Sequence, residues 1–287
     1  TAPYQAGALT DTMYYRSIVS SVFGCGSDTT NVITVDVYED FVVGQIETVD
    51  TICNGSIPSL IETVVSPSGG DGTYTYQWYE SLDGSSWSLV SGGTLDDYQP
   101  GVLTDTMYYQ LDYISGSGCG SGLSNVSEVV VFPSVTSAQI SGDQDLCYGG
   151  VADTINIDVY STGGGEVGYT YQWQWSSDGI SWIDLTGSTS TYFAPGSLVS
   201  SVYYRVAVVS GYGCGPSYSN SVYMNVYDVL NSGVVGLDQT ICYNTVPAEF
   251  DFTTLASGVD GDYTYQWEES IDGLVWTTIT GATTAPY

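Results

Sequence analysis

Carboxylates and thiols are the only groups abundant enough in this chain to suggest chemistry. Its 287 residues carry 32 aspartates and glutamates and 6 cysteines, against two basic residues, Arg16 and Arg205, and no histidine. Without histidine, neither a Ser-His-Asp nor a Cys-His nucleophile can be assembled, and imidazole ligation of a metal is excluded. Without lysine there is no Schiff-base amine and no Lys–Asn isopeptide staple. Paired carboxylates can cleave glycosides, but here the acids recur with an internal repeat or sit on turns, and a threefold-repeated active site is not expected. The chain therefore reads as no enzyme. Calcium is the one ion the acids could serve. Asp143 and Asp145 in "SGDQDLC", with Asp71 and Asp260 in glycine-rich loops, offer oxygen ligands. No EF-hand spacing is present and turn chemistry accounts for the same residues, so the sequence calls for no cofactor.

The net charge of −30 excludes a basic face for nucleic acid and opposes docking on anionic lipid. No run of residues is long and apolar enough to suggest membrane insertion. The acids are scattered singly, as on a solvated surface.

The positioning of these groups follows from repetition. "YTYQWYESLDGSSW" at 74–87 recurs as "YTYQWQWSSDGISW" at 169–182 and "YTYQWEESIDGLVW" at 263–276. Trp78, Trp173 and Trp267 step by 95 and 94 residues. Cys25, Cys119 and Cys214, in "GCG" contexts, step by 94 and 95, as do Cys53, Cys147 and Cys242, in "IC" or "LC" contexts. Tyr4, Tyr98, Tyr192 and Tyr287 read as one repeat position. "TAPY" stands at both 1–4 and 284–287, so the chain reads as a window on a longer array. The expected domains are the C-terminal part of a repeat at 1–40, complete repeats at 41–134 and 135–228, and the N-terminal part of a repeat at 229–287.

Within each repeat the pattern is β. "YTYQW" alternates, with Tyr74, Tyr76 and Trp78 on one face. Asp-Gly follows, the chemistry of a tight hairpin. "TDTMYYQLDYIS" alternates again, and "SNVSEVVVF" is rich in β-branched residues. Short strands separated by Gly and Asp turns, at a 95-residue period, predict an all-β chain of tandem immunoglobulin-like sandwiches. Trp78, Trp173 and Trp267 belong to the core. Trp175, with Glu80 and Glu269 nearby in the other repeats, suggests either a sugar platform or packing on a neighbouring strand. Arg16 and Arg205 are expected in weak surface ion pairs.

The six cysteines, Cys25, Cys53, Cys119, Cys147, Cys214 and Cys242, are disulfide candidates, and their number suits an oxidising compartment. Spacing leaves the pairing open. In a sandwich, the "GCG" cysteine lies in a turn at one pole and the "IC" cysteine ends the first strand near the other. Strands spanning ~30 Å separate them, whereas a disulfide needs Cα atoms within ~7 Å. That favours a bond across a junction, Cys53–Cys214, with the other four paired outside the chain. Within-domain bonds (Cys53–Cys119, Cys147–Cys214), the 28-residue pairing and free thiols remain open.

The combination "ICxG…P…YTYQWxxSxDGxxW…TxxYYR…GCG…SNxVxxxV" resembles the Ig-like tandem repeats of very large Bacteroidota surface proteins, including adhesins and gliding-motility filaments of the SprB type exported by the type IX system. The resemblance implies export, a cell-surface location and a stalk or filament role. It also raises the interest of the Asp-Ser/Thr-aliphatic O-glycosylation pattern, found at Thr12, Thr29, Thr51, Thr106 and Thr154; the sequons at Asn54 and Asn125 carry less weight. The expected partners are neighbouring repeats of the same polypeptide or filament, with surface glycans reached by a tip elsewhere. The alternative is a repeated carbohydrate-binding module, which a row of exposed aromatics would favour.

Overall fold

The structure, a computed structural model, describes residues 3–165 and 168–284. The chain divides into two compact units, Thr1–Ser134 and Val135–Tyr287. Each contains one β-sandwich, with further strand pairs outside it.

In the first unit the alternating Tyr74–Ser81 strand lies next to the centre of the larger sheet. It pairs antiparallel with Met107–Ser115, placing Trp78 opposite Leu111 and Tyr76 opposite Tyr113. Ser88–Leu89 flanks it on one side. Beyond Met107–Ser115 lie Ser121–Leu123 and Ser127–Phe132, and Val49–Cys53 closes the sheet in parallel with Ser127–Phe132. The facing layer is built from Glu39–Val42 on Ser68–Gly70 and Gln45–Ile46 on Thr63–Val65, with a bridge from Ile61 to Tyr98.

The first strand of the domain therefore changes sheets. The Glu47 amide donates to Glu62 O on the facing layer, while Thr48 O accepts from the Glu128 amide of the larger sheet. Asn125 fixes the crossing point. Its Oδ1 accepts from the Ile46 amide at 2.9 Å and its Nδ2 donates to Ile46 O at 2.8 Å. Asn220 holds Ile140 in the same way at 2.9 and 2.7 Å. This is the structural work of the "SN" dipeptide.

Burial follows the alternation. Ile46, Ile61, Trp78, Val90, Tyr109, Leu111, Tyr113 and Val129 form the core of the first sandwich. Trp78 is fully buried, and its indole N–H donates to Leu95 O at 2.9 Å, so the polar end of the ring carries no desolvation penalty. Trp173 donates to Ser190 O and Trp267 to Thr284 O in the same manner. Ring contacts run from Trp78 to Tyr98 to Tyr109, and from Trp173 to Phe193 to Tyr204. Phe193 bridges Ile155 as Tyr98 bridges Ile61. This corrects the sequence alignment: the counterpart of Tyr98 is Phe193, while Tyr192 points outward, 55 % exposed.

The second sandwich repeats the plan. Gln144–Cys147, Val222–Tyr227, Val202–Ser210, Tyr169–Ser176 and Ile183–Asp184 form the larger sheet in that order. Gln144–Cys147 is again parallel to its neighbour, with Cys147 opposite Tyr227.

Residues outside the complete sandwiches adopt matching local pairs. Met13–Tyr15 pairs with Ile33–Val35 and Ile18–Ser20 with Ser27–Thr29, as the last strands of a repeat do. Val234–Val235 pairs with Phe252–Thr254 and Glu268–Glu269 with Thr277–Thr278, as the first strands do. All of the chain's regular structure among the described residues is β, apart from one 3-10 turn at Gly116–Gly118.

Candidate functional site

The "DG" triplets occupy longer loops than a two-residue hairpin: six residues separate Tyr74–Ser81 from Ser88–Leu89. The Asp83 carboxylate organises the loop. Its Oδ1 accepts from the Ser85 and Ser86 amides at 2.7 and 2.6 Å and from the Ser81 hydroxyl at 2.9 Å. These donors, the Ser86 amide first, hold its pKa well below the usual carboxylate range. Asp178 is depressed likewise by the Ser181 and Ile180 amides, and Asp272 by those of Val275 and Leu274. Gly84 adopts φ +69° above the Tyr108 ring, and Gly179 adopts φ +72° above Tyr203. A side chain there meets both a disfavoured backbone conformation and an aromatic face. These acids are structural.

The calcium candidates are similarly engaged. Asp71 accepts from the Thr73 amide and hydroxyl at 2.9 and 2.8 Å, and a hydrogen bond from the Ser117 side chain is the largest cause of its lowered pKa. It pins the Gly116–Gly118 turn. Asp143 accepts from the Tyr223 amide, Asp145 from Asn225 Nδ2, and Asp260 from the Asp262 amide. Among the described residues no three His, Cys, Asp or Glu side chains gather as a metal site.

Arg205 differs from expectation. Among the described residues it makes no ion pair. Its guanidinium carbon lies 4.3 Å from the Trp182 ring centroid and 4.0 Å from that of Tyr218. Its Nε donates to Gln174 Oε1 at 2.7 Å, and Gln174 Nε2 donates to Asp184 Oδ1 at 2.7 Å. The planar cation stacks between two aromatics on the outward face of its sheet, the geometry that suits arginine. At the matching position Gln110 donates to Ser124 O. Arg16 is exposed beside Tyr15, Thr30 and Ile33.

Trp175 packs, half-buried, against the second core. No Trp, Tyr or Phe of residues 42–133 is exposed, and the exposed Tyr148, Tyr160, Tyr192, Tyr212 and Tyr218 of the next repeat have no exposed aromatic counterpart there. Among the described residues, the two sandwiches share no exposed aromatic at a repeated position.

The glycosylation candidates separate into two groups. The Thr106 hydroxyl accepts from the Val131 amide and that of Thr12 from the Val37 amide, each at 3.1 Å; Ser201 does the same for Val226 at 2.9 Å. These hydroxyls hold the last strand of their repeats. Thr29, Thr51 and Thr154 are exposed. Of the sequons, Asn125 uses both ends of its amide on Ile46, while Asn54, exposed, donates to Thr104 O at 2.8 Å.

Cys53 and Cys214 are disulfide-bonded, whereas Cys25, Cys119, Cys147 and Cys242 are free. The within-domain pairs are therefore not formed. The strand geometry explains why. Cys53 lies opposite Phe132, while Cys119 follows the turn beyond Ser115, at the far end of the strand that begins at Met107. Cys147 and Cys214 are separated by the corresponding strand, Val202–Ser210.

The repeat period and the sandwich coincide with a known family. The chain belongs to the family described as a domain of unknown function, DUF8696, whose profile matches residues 42–133, 136–228 and 231–287. It is thus a protein of tandem Ig-like β-sandwich repeats. No curated protein matches it. Among solved structures it is similar to the three N-terminal domains of the highly immunogenic outer capsid protein (Hoc) of bacteriophage RB49, at 13 % identity over 74 % of this chain and 78 % of that one, TM-score 0.42. Rst D1-D2 shares 13 % identity over 67 % of this chain and all of its own, TM-score 0.33. Sidekick-1 immunoglobulin domains 1–5 share 12 % over 90 % of this chain and 55 % of theirs, TM-score 0.28. At these scores the architecture rests on the strand pairing itself. No described helix is long and apolar enough to cross a membrane.

Proposed function

We propose that this chain is a segment of a non-catalytic stalk or filament of a long, repetitive, secreted cell-surface adhesin. The observation that carries the reading is the use made of the repeated side chains. The repeated tryptophans fill cores or edge loops, the repeated aspartates cap loops, and the repeated asparagine ties the first strand to the last. What recurs in these residues builds sandwiches. A disulfide suits export to an oxidising compartment, and the scarcity of basic residues leaves only two tryptic sites. The gliding-filament and type IX assignment rests on the motif resemblance alone. Its partners are neighbouring repeats, with surface glycans engaged at a tip elsewhere in the assembly. Glycans on Thr29, Thr51 or Thr154, whose side chains are exposed, would add to protease resistance.

The test is a glycan array probed with the intact chain. Stalk repeats give no signal. A competable signal from the chain would instead establish the repeated carbohydrate-binding module.

A further inference from the structure

Two tyrosines stand directly against each other on the outward face of the second sandwich. Tyr203 in Val202–Ser210 and Tyr223 in Val222–Tyr227 are opposed residues of an antiparallel pair. Their ring centroids lie 4.5 Å apart with 31° between the planes, at the short end of the range for aromatic contacts. The loop capped by Asp178 packs on the first ring, since a Cβ at Gly179 would lie 3.7 Å from it. Both rings are half-buried, so solvent reaches them while the sheet fixes their spacing. Two other tyrosine pairs differ. Tyr98–Tyr109 and Tyr76–Tyr113 have centroids 5.5 and 5.8 Å apart, and Tyr109 and Tyr113 are buried. In the first sandwich the residue opposite Tyr108 is Glu128, which accepts from the Tyr108 hydroxyl at 3.0 Å.

We propose that Tyr203 and Tyr223 are a site of oxidative cross-linking, at which a dityrosine bond joins the central strand of the sheet to its neighbour Val222–Tyr227. The reaction needs only the two phenols and a one-electron oxidant, and a haem peroxidase with hydrogen peroxide is the class that supplies it. Each phenol gives up one electron and one proton to become a phenoxyl radical. The two radicals bond through ring carbons ortho to the oxygens. Each of these carbons then loses its hydrogen as a proton while the oxygen gains one from solvent, which restores both aromatic rings. One molecule of peroxide takes up the two electrons and two protons and leaves as two waters. Rings this close and this nearly parallel overlap their half-filled π orbitals before the bond forms. Holding two reactants in such a position replaces a bimolecular encounter by a unimolecular step.

Once formed, the bond closes the segment between the two tyrosines into a covalent loop. A cross-link restricts the unfolded chain, as a disulfide does, so the treated sandwich should melt higher than the untreated one. The bond uses no cysteine, and reduction leaves it in place. It lies within one sandwich and stands or falls independently of the stalk reading.

The experiment treats the intact chain, at low concentration, with a haem peroxidase and limiting hydrogen peroxide. Monomer is then isolated, reduced, unfolded and digested with trypsin and a protease that cuts at acidic residues. Cleavage after Arg205 separates Tyr203 from Tyr223. The cross-link should therefore appear as one fluorescent species in which the peptide ending at Arg205 is joined to the peptide beginning at Val206, two hydrogens lighter than their sum. Tyr203→Phe and Tyr223→Phe keep both rings and should each abolish that species. Tyr192→Phe alters an exposed ring on the same peptide as Tyr203 and should leave the yield unchanged. Tyr108, which faces Glu128, should form no bond in the monomer. A joined peptide that persists in the Tyr203→Phe or Tyr223→Phe chain overturns the proposal, as does its loss in the Tyr192→Phe chain. So does dityrosine found only in cross-linked dimers, which would mark exposed tyrosines coupling between copies. Absence of any dityrosine in the chain, while free tyrosine added to the same reaction couples, overturns it as well.

Discussion

The aspartate of each "DG" loop is a charged cap, and its charge makes a testable contribution. Asp83 and Asp178 have carboxyl pKa values held below those of the unfolded chain by amide and hydroxyl donors. A depressed folded pKa stabilises the protein above the unfolded value, about 4, and that stabilisation is lost as pH falls through the folded pKa. The Tm should therefore be flat near neutrality and decline below about pH 4. The Asp83→Asn/Asp178→Asn chain should melt lower at pH 7 and show a shallower decline in acid. Parallel curves for the two chains would show that these loops contribute nothing through charge. Tyr109 and Tyr204 act in the opposite direction. Burial raises their pKa values, so their contribution is present below about pH 10 and lost above it. Ultraviolet titration should show late-ionising tyrosines coincident with unfolding. Some of this was legible from residue types, since Asp-Gly marks a turn. The Arg205 stack was not. It needs the cross-strand neighbour Gln174 and the residues Trp182 and Tyr218 from two other segments, and none of these is near Arg205 in sequence.

At the scale of strands, alternation did most of the work. Tyr74, Tyr76 and Trp78 face inward as their period of two requires, and Trp78 reaches full burial. Trp78→Ala should cost about 3–5 kcal/mol in denaturant unfolding of the first repeat; a cost below ~1 kcal/mol would mean the ring is not a core element. The sheet switch of the first strand was hidden, because a change of partner between Glu47 and Thr48 leaves no mark on hydropathy. It depends on Asn125, whose amide satisfies both backbone groups of Ile46, itself 1 % exposed. Asn125→Ala should cost about 1–3 kcal/mol, since it strands a buried donor and acceptor. The corresponding loss is expected for Asn220→Ala, and hydrogen exchange at Ile46 and Ile140 should rise in the respective variants. Unchanged exchange there would remove the asparagines from the account. Phe193 follows Trp173 by 20 residues, as Tyr98 follows Trp78, so matching tyrosine to tyrosine misplaces the ring that stacks on Trp173.

For the whole molecule, periodicity in the sequence carried the architecture, and three family matches follow it along the chain. The state of the cysteines lay beyond it, because spacing does not tell that Cys53 and Cys214 are bonded while Cys25, Cys119, Cys147 and Cys242 are free. The central claim is that each repeat contributes length rather than binding. The most direct measurement is deletion of one complete repeat, residues 135–228, from the native assembly, with filament length read by electron microscopy and attachment read on the same cells. A sandwich whose strands of about ten residues span ~33 Å, plus its junction, adds ~40 Å. The account predicts filaments shorter by that increment per deleted repeat, with attachment unchanged. Filaments of unaltered length, or attachment that falls in step with each repeat removed as multivalent binding would, would contradict it.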